Sequence, residues 1–498
     1  MSGRNLQSLT QLLAGYGVPV PPEVEVTGVA VDSRRVSPGD LFLACRGRGT
    51  HGLAHLDQAL QRGAVAVAWE PAPGWAPPQT EIPEVAVPHL AERVGEIASR
   101  CLGEPSRQLY CVGITGTDGK TSTAYLLAQA LDRLNLPCAY VGTLGFGRIG
   151  ELDQATHTTP DAVTLQSQLA RALASGARSC AMEVSSHALD QKRVSGVAFD
   201  VAVLTNVTRD HLDYHGTVEH YAAAKRQLFA RPELEVAVLN RDDACGARWA
   251  DELNVPVMHY GLGGELPKHG TYVLGDALEL DPAGLRLQLR TSWGEAELRS
   301  RLLGRFNAYN LMAVLGVLLS RKVALADALA AIEQLRTVPG RIEGIRGAAG
   351  PLVVVDYAHT PEALGQILRA LRAHAPQRLL CVFGCGGDRD RGKRPLMGAV
   401  AAELADRIIV TDDNPRSEDP AQIAAQIVAG IDAAQRERVA TVHDRADAIR
   451  RAVAAADAGD IVVIAGKGHE QTQTYGAEVR SFSDRHFVAE LLGTELTA

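Results

Sequence analysis

The chain has no long hydrophobic run. Nowhere in its 498 residues does an apolar stretch approach the roughly 18 residues of a membrane span, so no membrane insertion is expected. It has no excess of positive charge: 50 Lys and Arg stand against 58 Asp and Glu, a net charge of -8. That balance gives no general attraction for nucleic acid or an anionic membrane, so any phosphate must be held by local Gly-rich loops and a few placed cations. It has no CxxC pair. The eight cysteines are scattered, and the closest, Cys381 and Cys385, have no matching pair elsewhere. This opposes a zinc site or disulfide framework and favours reduced thiols. Met1 to Gly17 lack the basic start and apolar core of a signal peptide. The expectation is a cytoplasmic protein. There is no short-period repeat, and 46 % hydrophobic with 22 % charged residues is ordinary for a globular chain, not a disordered one. The length suggests about three domains.

What is present is a recurring unit: an apolar strand, a Gly- or Asp-rich turn, then a helix. Tyr110 to Thr115 runs into Gly116–Gly119 and a helix from Thr121 to Leu134. Leu352 to Asp356, Leu379 to Phe383, Arg407 to Thr411 and Ile461 to Ala465 likewise end in polar turns. These runs lack polar alternation and read as strands of parallel sheets buried on both faces, whose ligands sit where carboxyl ends open into loops. The first ~105 residues read as a separate α/β unit with strands at Val24–Val31, Ala64–Trp69 and Val85–Val87. Gly270 to Leu303 alternates and reads as a hairpin or meander within the middle domain. A further break is expected near Pro339–Gly340, after a helical run from Ala324 to Leu335.

Thr115, Gly116, Thr117, Asp118, Gly119, Lys120 and Thr121 form a candidate phosphate loop. Backbone N–H groups in such a turn cradle phosphate oxygens, and the helix start adds partial positive charge. Lys120 would reach the β/γ-phosphates and Thr121 would face Mg²⁺. The match to GxxxxGK[ST] is incomplete, since Ile114 replaces the first Gly, and a strand–helix turn without ligand is the alternative. Three further clusters carry chemistry: Glu183 to His187, Asn206 to His215, and Lys225 in a helical stretch from Tyr221 to Phe229. Carboxylate and imidazole near a triphosphate suggest divalent-metal ligands. Singly they are weak signals: Lys225 alone reads as a solvated helix lysine, and His211-x-x-x-His215 lacks the Glu of a zinc protease.

Seven segments then stand in order: Thr115–Thr121, Ala181–Leu189 (AMEVSSHAL), Arg209–Gly216 (RDHLDYHG), Asp356–Pro361 (DYAHTP), Phe383–Pro395 (FGCGGDRDRGKRP), Thr411–Arg416 (TDDNPR) and Ala465–Glu470 (AGKGHE). With these the sequence resembles the Mur ligases of peptidoglycan synthesis along essentially its whole length. The resemblance implies an α/β protein of three domains: an N-terminal UDP-binding domain (1–105), a central P-loop ATPase-like domain with a parallel sheet and a small antiparallel one (106–338), and a C-terminal Rossmann-like domain (339–498). It implies ATP as substrate, Mg²⁺, UDP-N-acetylmuramoyl-L-alanyl-D-glutamate and meso-diaminopimelate as partners, and a monomer. It places Val31, Ser33 and the loop Arg48, Gly49, Thr50 by the nucleotide. His157, Thr158, Thr159, Ser185, Gln191 and Arg193 would hold the muramoyl-peptide. Thr121, Glu183, His211 and Lys225 would serve Mg²⁺, Lys225 being similar to a lysine that the family carbamylates with CO₂. Lys120, Lys225 and His211 are the catalytic candidates. Asn310, Arg341 and His359 would approach ATP. Two departures are noted: Asp118 stands where many relatives have Asn, and His157 replaces an Asn of some.

Arg416 in Asp413-Asn414-Pro415-Arg416 suits a carboxylate gripped through paired N–H bonds. Diaminopimelate carries a second amino-acid head, whereas lysine ends in an ammonium that Arg416 repels. By resemblance Arg389, Gly466 and Glu470 complete the pocket, with Glu470 facing an ammonium. Without that context an Asn-Pro turn with a solvent-facing Arg is equally open. The rivals are a lysine-adding or folylpolyglutamate ligase of the same superfamily, a motor-type P-loop ATPase, and a silent nucleotide binder. The acceptor base is not identified by sequence. The expected reaction needs the Lys120 loop and the Arg416 turn to line one cleft.

Overall fold

Apolar strands with no polar alternation need cover on both faces, and they receive it. The computed structural model describes residues 6–19, 24–47, 49–155, 157–374 and 377–496. The chain divides into two compact units, the first Met1–Gly261, Leu266–Tyr272 and Gly316–Val323, the second Leu262–Glu265, Val273–Leu315 and Ala324–Ala498.

In the first unit Tyr110–Thr115 lies between Ser179–Glu183 and Val201–Leu204, all parallel. Register sets Glu183 opposite Ile114 and Leu204 opposite Thr115, so three strands stop at the same level. Cys138–Gly142 extends this sheet on one side, followed by the antiparallel strands Gly145–Arg148 and Glu151–Asp153. Val236–Asn240 and Val257–Leu262 extend it on the other. One face buries Cys111, Cys180, Met182, Ala202 and Leu239 with Phe199, Leu228 and Trp249.

The N-terminal part carries a parallel sheet of Gly28–Ala30, Asp40–Ala44, Ala66–Trp69 and Glu84–Ala86. The expected strand Val24–Val31 is in fact two. Glu25–Val26 pairs antiparallel with Gln7–Ser8, while Gly28–Ala30 joins the parallel sheet. Between them Thr27 donates its N–H to the Gly39 carbonyl at 2.8 Å, which ends the first pairing. Asp40–Ala44, a central strand, is an addition to the sequence reading. Helix Leu90–Cys101 buries Leu90, Val94, Ile97, Ala98 and Cys101 along one face, the helical period of an amphipathic segment. On it, Gly95 meets the loop at Ser195: a Cβ at Gly95 would stand 1.9 Å from the Ser195 carbonyl oxygen, and one at Gly196 2.3 Å from that of Gly95. Two backbones approach closely there, with the Ser195 hydroxyl beside them.

The second unit holds a sheet ordered Glu343–Ile345, Leu352–Asp356, Ile461–Ala465, Leu379–Phe383, Arg407–Val410, Val439–Thr441, parallel except at the first edge. Helices cover both faces over two apolar cores. Thr271–Asp281, Gly284–Thr291 and Gly294–Ser300 form the antiparallel meander. Arg445 and Asp484, both wholly buried, form a paired ion bridge at 2.7 Å. The same guanidinium donates to the carbonyls of Asp412 (3.3 Å) and Ala465 (3.1 Å), tying together the ends of two strands that lead into polar loops. All eight cysteines are free. Among the described residues no helix is long and apolar enough to cross a membrane.

Candidate active site

Aligned strand ends place the polar residues of the first unit at one edge of the sheet. The turn after Thr115 is shaped by Gly116 (φ 151°) and Gly119 (φ 82°), and helix Lys120–Arg133 starts without a side-chain cap. Its first N–H groups have no intrahelical acceptor, as at any helix start, which suits an anion. Asn206 fastens the turn: its carbonyl accepts from Thr117 N at 2.8 Å and its Oδ1 from Asp118 N at 2.9 Å. Thr205 Oγ1 donates to the Asp118 carbonyl at 2.6 Å. The Asp118 side chain itself is exposed. A Cβ at Gly116 would stand 1.8 Å from Thr205 Oγ1. Gly116→Ala is therefore expected to cost about 2 kcal/mol or more of stability and to raise the KM for ATP, read by thermal unfolding and steady-state kinetics. An unchanged melting temperature and KM would show that the turn adapts.

Two lysines share one acceptor. Lys120 Nζ donates to the carbonyls of Gly116 and Thr117, and Lys225 Nζ also donates to Gly116 O, each at 2.7 Å. Lys225, from helix Val218–Arg226, is 1 % exposed and lies 4.3 Å from the Tyr221 ring centre. Burial, then the neighbouring Lys120 charge, brings its pKa down to about 6. Burial lowers that of Lys120 as well.

Glu183, 1 % exposed at the end of its strand, accepts from Thr121 Oγ1 (2.7 Å), Thr143 N (2.8 Å), Thr143 Oγ1 (3.2 Å) and the Tyr140 hydroxyl. Burial and the carboxylate push the Tyr140 hydroxyl pKa up. A buried carboxylate held by neutral donors next to the phosphate-loop threonine fits a divalent cation shared with phosphate oxygens. Among the described residues no three His, Cys, Asp or Glu groups form a preformed metal cage. His211 (φ 52°) packs edge-on to His187, with ring centres 4.8 Å apart, and faces Tyr221 at 6.1 Å. Burial and the other histidines depress the pKa of His187.

The peptide-side candidates gather beside Glu183. Thr159 Oγ1 donates to the Glu183 carbonyl (2.8 Å) and accepts from Ser185 N (3.2 Å). Arg193 donates to Thr159 O (2.9 Å) and grips Gln191 Oε1 through two nitrogens. Thr158 Oγ1 lies 3.1 Å from Thr143 Oγ1, and His157 is exposed. Farther toward the N-terminus Val31 is exposed, Ser33 donates to Gln58 Oε1 at 2.7 Å, and Gly49 and Thr50 are exposed in a turn closed by Gly47 N to Thr50 O at 2.9 Å. Arg48 lies outside the described residues.

In the second unit the loops after Arg407–Val410, Leu379–Phe383 and Ile461–Ala465 meet. Arg416 (φ 51°) donates a guanidinium hydrogen to Gly387 O at 2.8 Å, and its backbone pairs with Thr474 and Gly476. Asn414, buried, donates to Glu470 Oε2 at 3.0 Å and accepts from Thr474 N at 3.0 Å. Pro415 is packed so that a Cβ at Gly387 would stand 1.8 Å from its carbonyl. Asp413 Oδ2 would stand 2.7 Å from a Cβ at Gly466 (φ 118°). Arg389 lies beside Gly386, where Arg416 also points. Elsewhere in this unit Arg341 lies over the Tyr357 ring at 5.3 Å, and His359 packs edge-on to it at 4.8 Å. Asn310 donates to Asn307 Oδ1 at 2.9 Å.

Sequence reasoning missed Tyr140 and Thr143, which hold Glu183, and Lys467, which holds Glu470 at 2.9 Å. A tyrosine in an otherwise apolar strand was the available signal for the first, since a buried hydroxyl needs a partner.

Three family profiles match the chain: "Mur ligase family, catalytic domain" over residues 25–101, "Mur ligase middle domain" over 114–318, and "Mur ligase, glutamate ligase domain" over 340–468. UDP-N-acetylmuramoyl-L-alanyl-D-glutamate--2,6-diaminopimelate ligase of Alkalilimnicola ehrlichii is 52 % identical, covering 94 % of this chain and 95 % of its own length. The protein of that name from Pseudomonas aeruginosa is 49 % identical, covering 92 % and 93 %. A solved structure of a UDP-N-acetylmuramoyl-L-alanyl-D-glutamate--2,6-diaminopimelate ligase superposes with TM-score 0.80 at 37 % identity over 98 % of this chain and 99 % of that one. MurF from Acinetobacter baumannii shares the fold at TM-score 0.60 and 20 % identity, covering 98 % and 99 %.

Proposed function

The chain belongs to the Mur ligase family, and we propose from that premise that it adds meso-2,6-diaminopimelate to the D-glutamate of UDP-N-acetylmuramoyl-L-alanyl-D-glutamate, with ATP, in peptidoglycan synthesis. The observation that carries the choice of amino acid is that Arg416, turned to Gly387 O, and Glu470, held by Asn414, belong to one loop cluster. A cation and an acid offered by one loop cluster suit the zwitterionic far end of diaminopimelate; a lysine side chain offers only an ammonium.

A carboxylate is a poor acyl donor. A glutamyl carboxylate oxygen attacks the γ-phosphorus of ATP, ADP leaves, and an acyl-phosphate forms. The amine of diaminopimelate then attacks the acyl carbon, phosphate departs, and the nitrogen loses a proton. Phosphoryl transfer of this kind rests on positioning and charge compensation. Thr115 to Thr121 cradle the phosphates, with Lys120 supplying positive charge. Asn310, Arg341 and His359 bind the rest of ATP. Glu183, Thr121, His211 and a carbamylated Lys225 would hold Mg²⁺, which when bound neutralises phosphoryl oxygens. Lys225 suits carbamylation because a neutral amine attacks CO₂ and releases a proton. Two lysines on the Gly116 carbonyl favour that neutral form, and the carbamate replaces repulsion by attraction to Lys120. Thr158, Thr159, Ser185, Gln191 and Arg193 hold the peptide, and Val31, Ser33 and the loop 48–50 the UDP end. Domain boundaries are proposed near residues 105 and 338.

The test is phosphate release from ATP with the UDP-dipeptide, with and without amine. Release is expected to depend on meso-diaminopimelate and to be weak with lysine. Release without any amine would favour a motor-type ATPase, and equal rates with lysine would reassign the acceptor.

A further inference from the structure

Lys467 is a lysine with no solvent exposure, inside the loop cluster assigned to the amino-acid substrate. Its ammonium has three acceptors: the Thr472 carbonyl at 2.6 Å, Glu470 Oε2 at 2.9 Å and Asn414 Oδ1 at 3.5 Å. Asn414 Nδ2 donates to the same Oε2 at 3.0 Å, so both contacts fall on one oxygen of Glu470. The Glu470 side chain is itself 34 % exposed. A neutral donor would satisfy the Thr472 carbonyl and Asn414. Burying a full charge is the costlier solution, because desolvation offsets much of the Coulombic gain. The charge therefore calls for a reason beyond packing.

We propose that Lys467 is a specificity-determining residue that acts through Glu470: by neutralising part of its charge, it makes binding depend on a second contact, the carboxylate that Arg416 receives. An unscreened Glu470 would attract any primary ammonium at close range. With Lys467 against Oε2 that attraction is reduced. A side chain ending in an ammonium alone meets a screened acid and the repelling guanidinium of Arg416. A zwitterionic end meets the same screened acid but gains Arg416. Lys467 thus penalises the wrong amine rather than strengthening the right one, which is how discrimination between related ligands is commonly built. The inference rests on the substrate assignment proposed above and deepens it.

The experiment compares kcat/KM for meso-diaminopimelate and L-lysine in the full-length wild type, Lys467→Gln and Lys467→Arg. Lys467→Gln keeps donors for Thr472 and Asn414 and removes the charge. Its preference for diaminopimelate is expected to fall roughly tenfold or more, through the KM values of the amines, with the KM for ATP unchanged. Lys467→Arg should retain the preference. A merely structural role would lower both amines by the same factor in Lys467→Gln, and that result would overturn the proposal. A second measurement needs no variant. On the wild type, 2-aminopimelate keeps the distal carboxylate and lacks the distal ammonium, and it should outperform lysine by roughly tenfold or more. The reverse order would overturn the proposal even if Lys467→Gln does not fold. A wild type that ligates neither diaminopimelate nor lysine removes the substrate assignment and this inference with it. An intact wild-type preference with an unmoved ratio in Lys467→Gln removes this inference alone.

Discussion

Lys225→Met is expected to lose roughly three orders of magnitude in kcat, because the proposed carbamate and its share of charge compensation disappear together. The same variant should be more stable than the wild type near neutral pH. Lys225 has a folded-state pKa of about 6, against the ordinary 10.5 of an exposed lysine, with burial as the main cause. Between these values the unfolded chain binds a proton that the folded chain does not, so stability rises with pH across that window. As pH falls from 10.5 the wild type is penalised progressively, and below about 6 the penalty is constant. A methionine carries no such penalty. Its advantage in melting temperature, measured in CO₂-free buffer, should shrink as pH rises toward 10.5. Wild-type activity should fall when CO₂ is stripped and return on adding bicarbonate. A variant with normal kcat would end the assignment of Lys225 to the metal-holding set.

Arg416→Ala should raise the KM for diaminopimelate by roughly 100-fold, the cost of leaving a bound carboxylate without its charged partner. The KM for ATP should stay within about a factor of two, since additivity holds for separate contacts. The guanidinium is anchored at Gly387 O and its backbone is pinned by Thr474 and Gly476, so the side chain is already oriented. An oriented donor loses little entropy on binding, which is why its removal is costly. Steady-state kinetics with each substrate varied in turn gives both constants. Equal increases in the two would show a general disturbance of the protein and withdraw Arg416 from the pocket.

Much of this molecule is readable before its coordinates. Tyr110–Thr115 and Ile461–Ala465 announce themselves because a strand buried on both faces has no polar position, and the turns that follow carry the unusual residues. The family signature then supplies roles that spacing alone leaves open, as with Lys225, whose helical setting reads as solvent-facing until Gly116 is seen beside it. Asp40–Ala44 escaped because five residues beginning with a charged one give too short a period to register. Thr27 turning to Gly39 split a run that looks continuous. The hidden polar partners escaped for a different reason. Tyr140 reaches Glu183, Lys467 reaches Asn414, and Arg445 reaches Asp484 across many residues of chain. Each looks ordinary in one dimension and acquires its partner only when strands stack.

The close approach of Gly95 to Ser195 and Gly196 has a further effect. It brings the N-terminal sheet directly against the layer that bears the proposed phosphate loop, where Ala162 also packs into the N-terminal core. On the proposed assignment of the UDP end to the first and ATP to the second, their separation is a gauge for the length of the precursor. On that assignment a stem longer or shorter by one amino acid would present its terminal acid at the wrong mark.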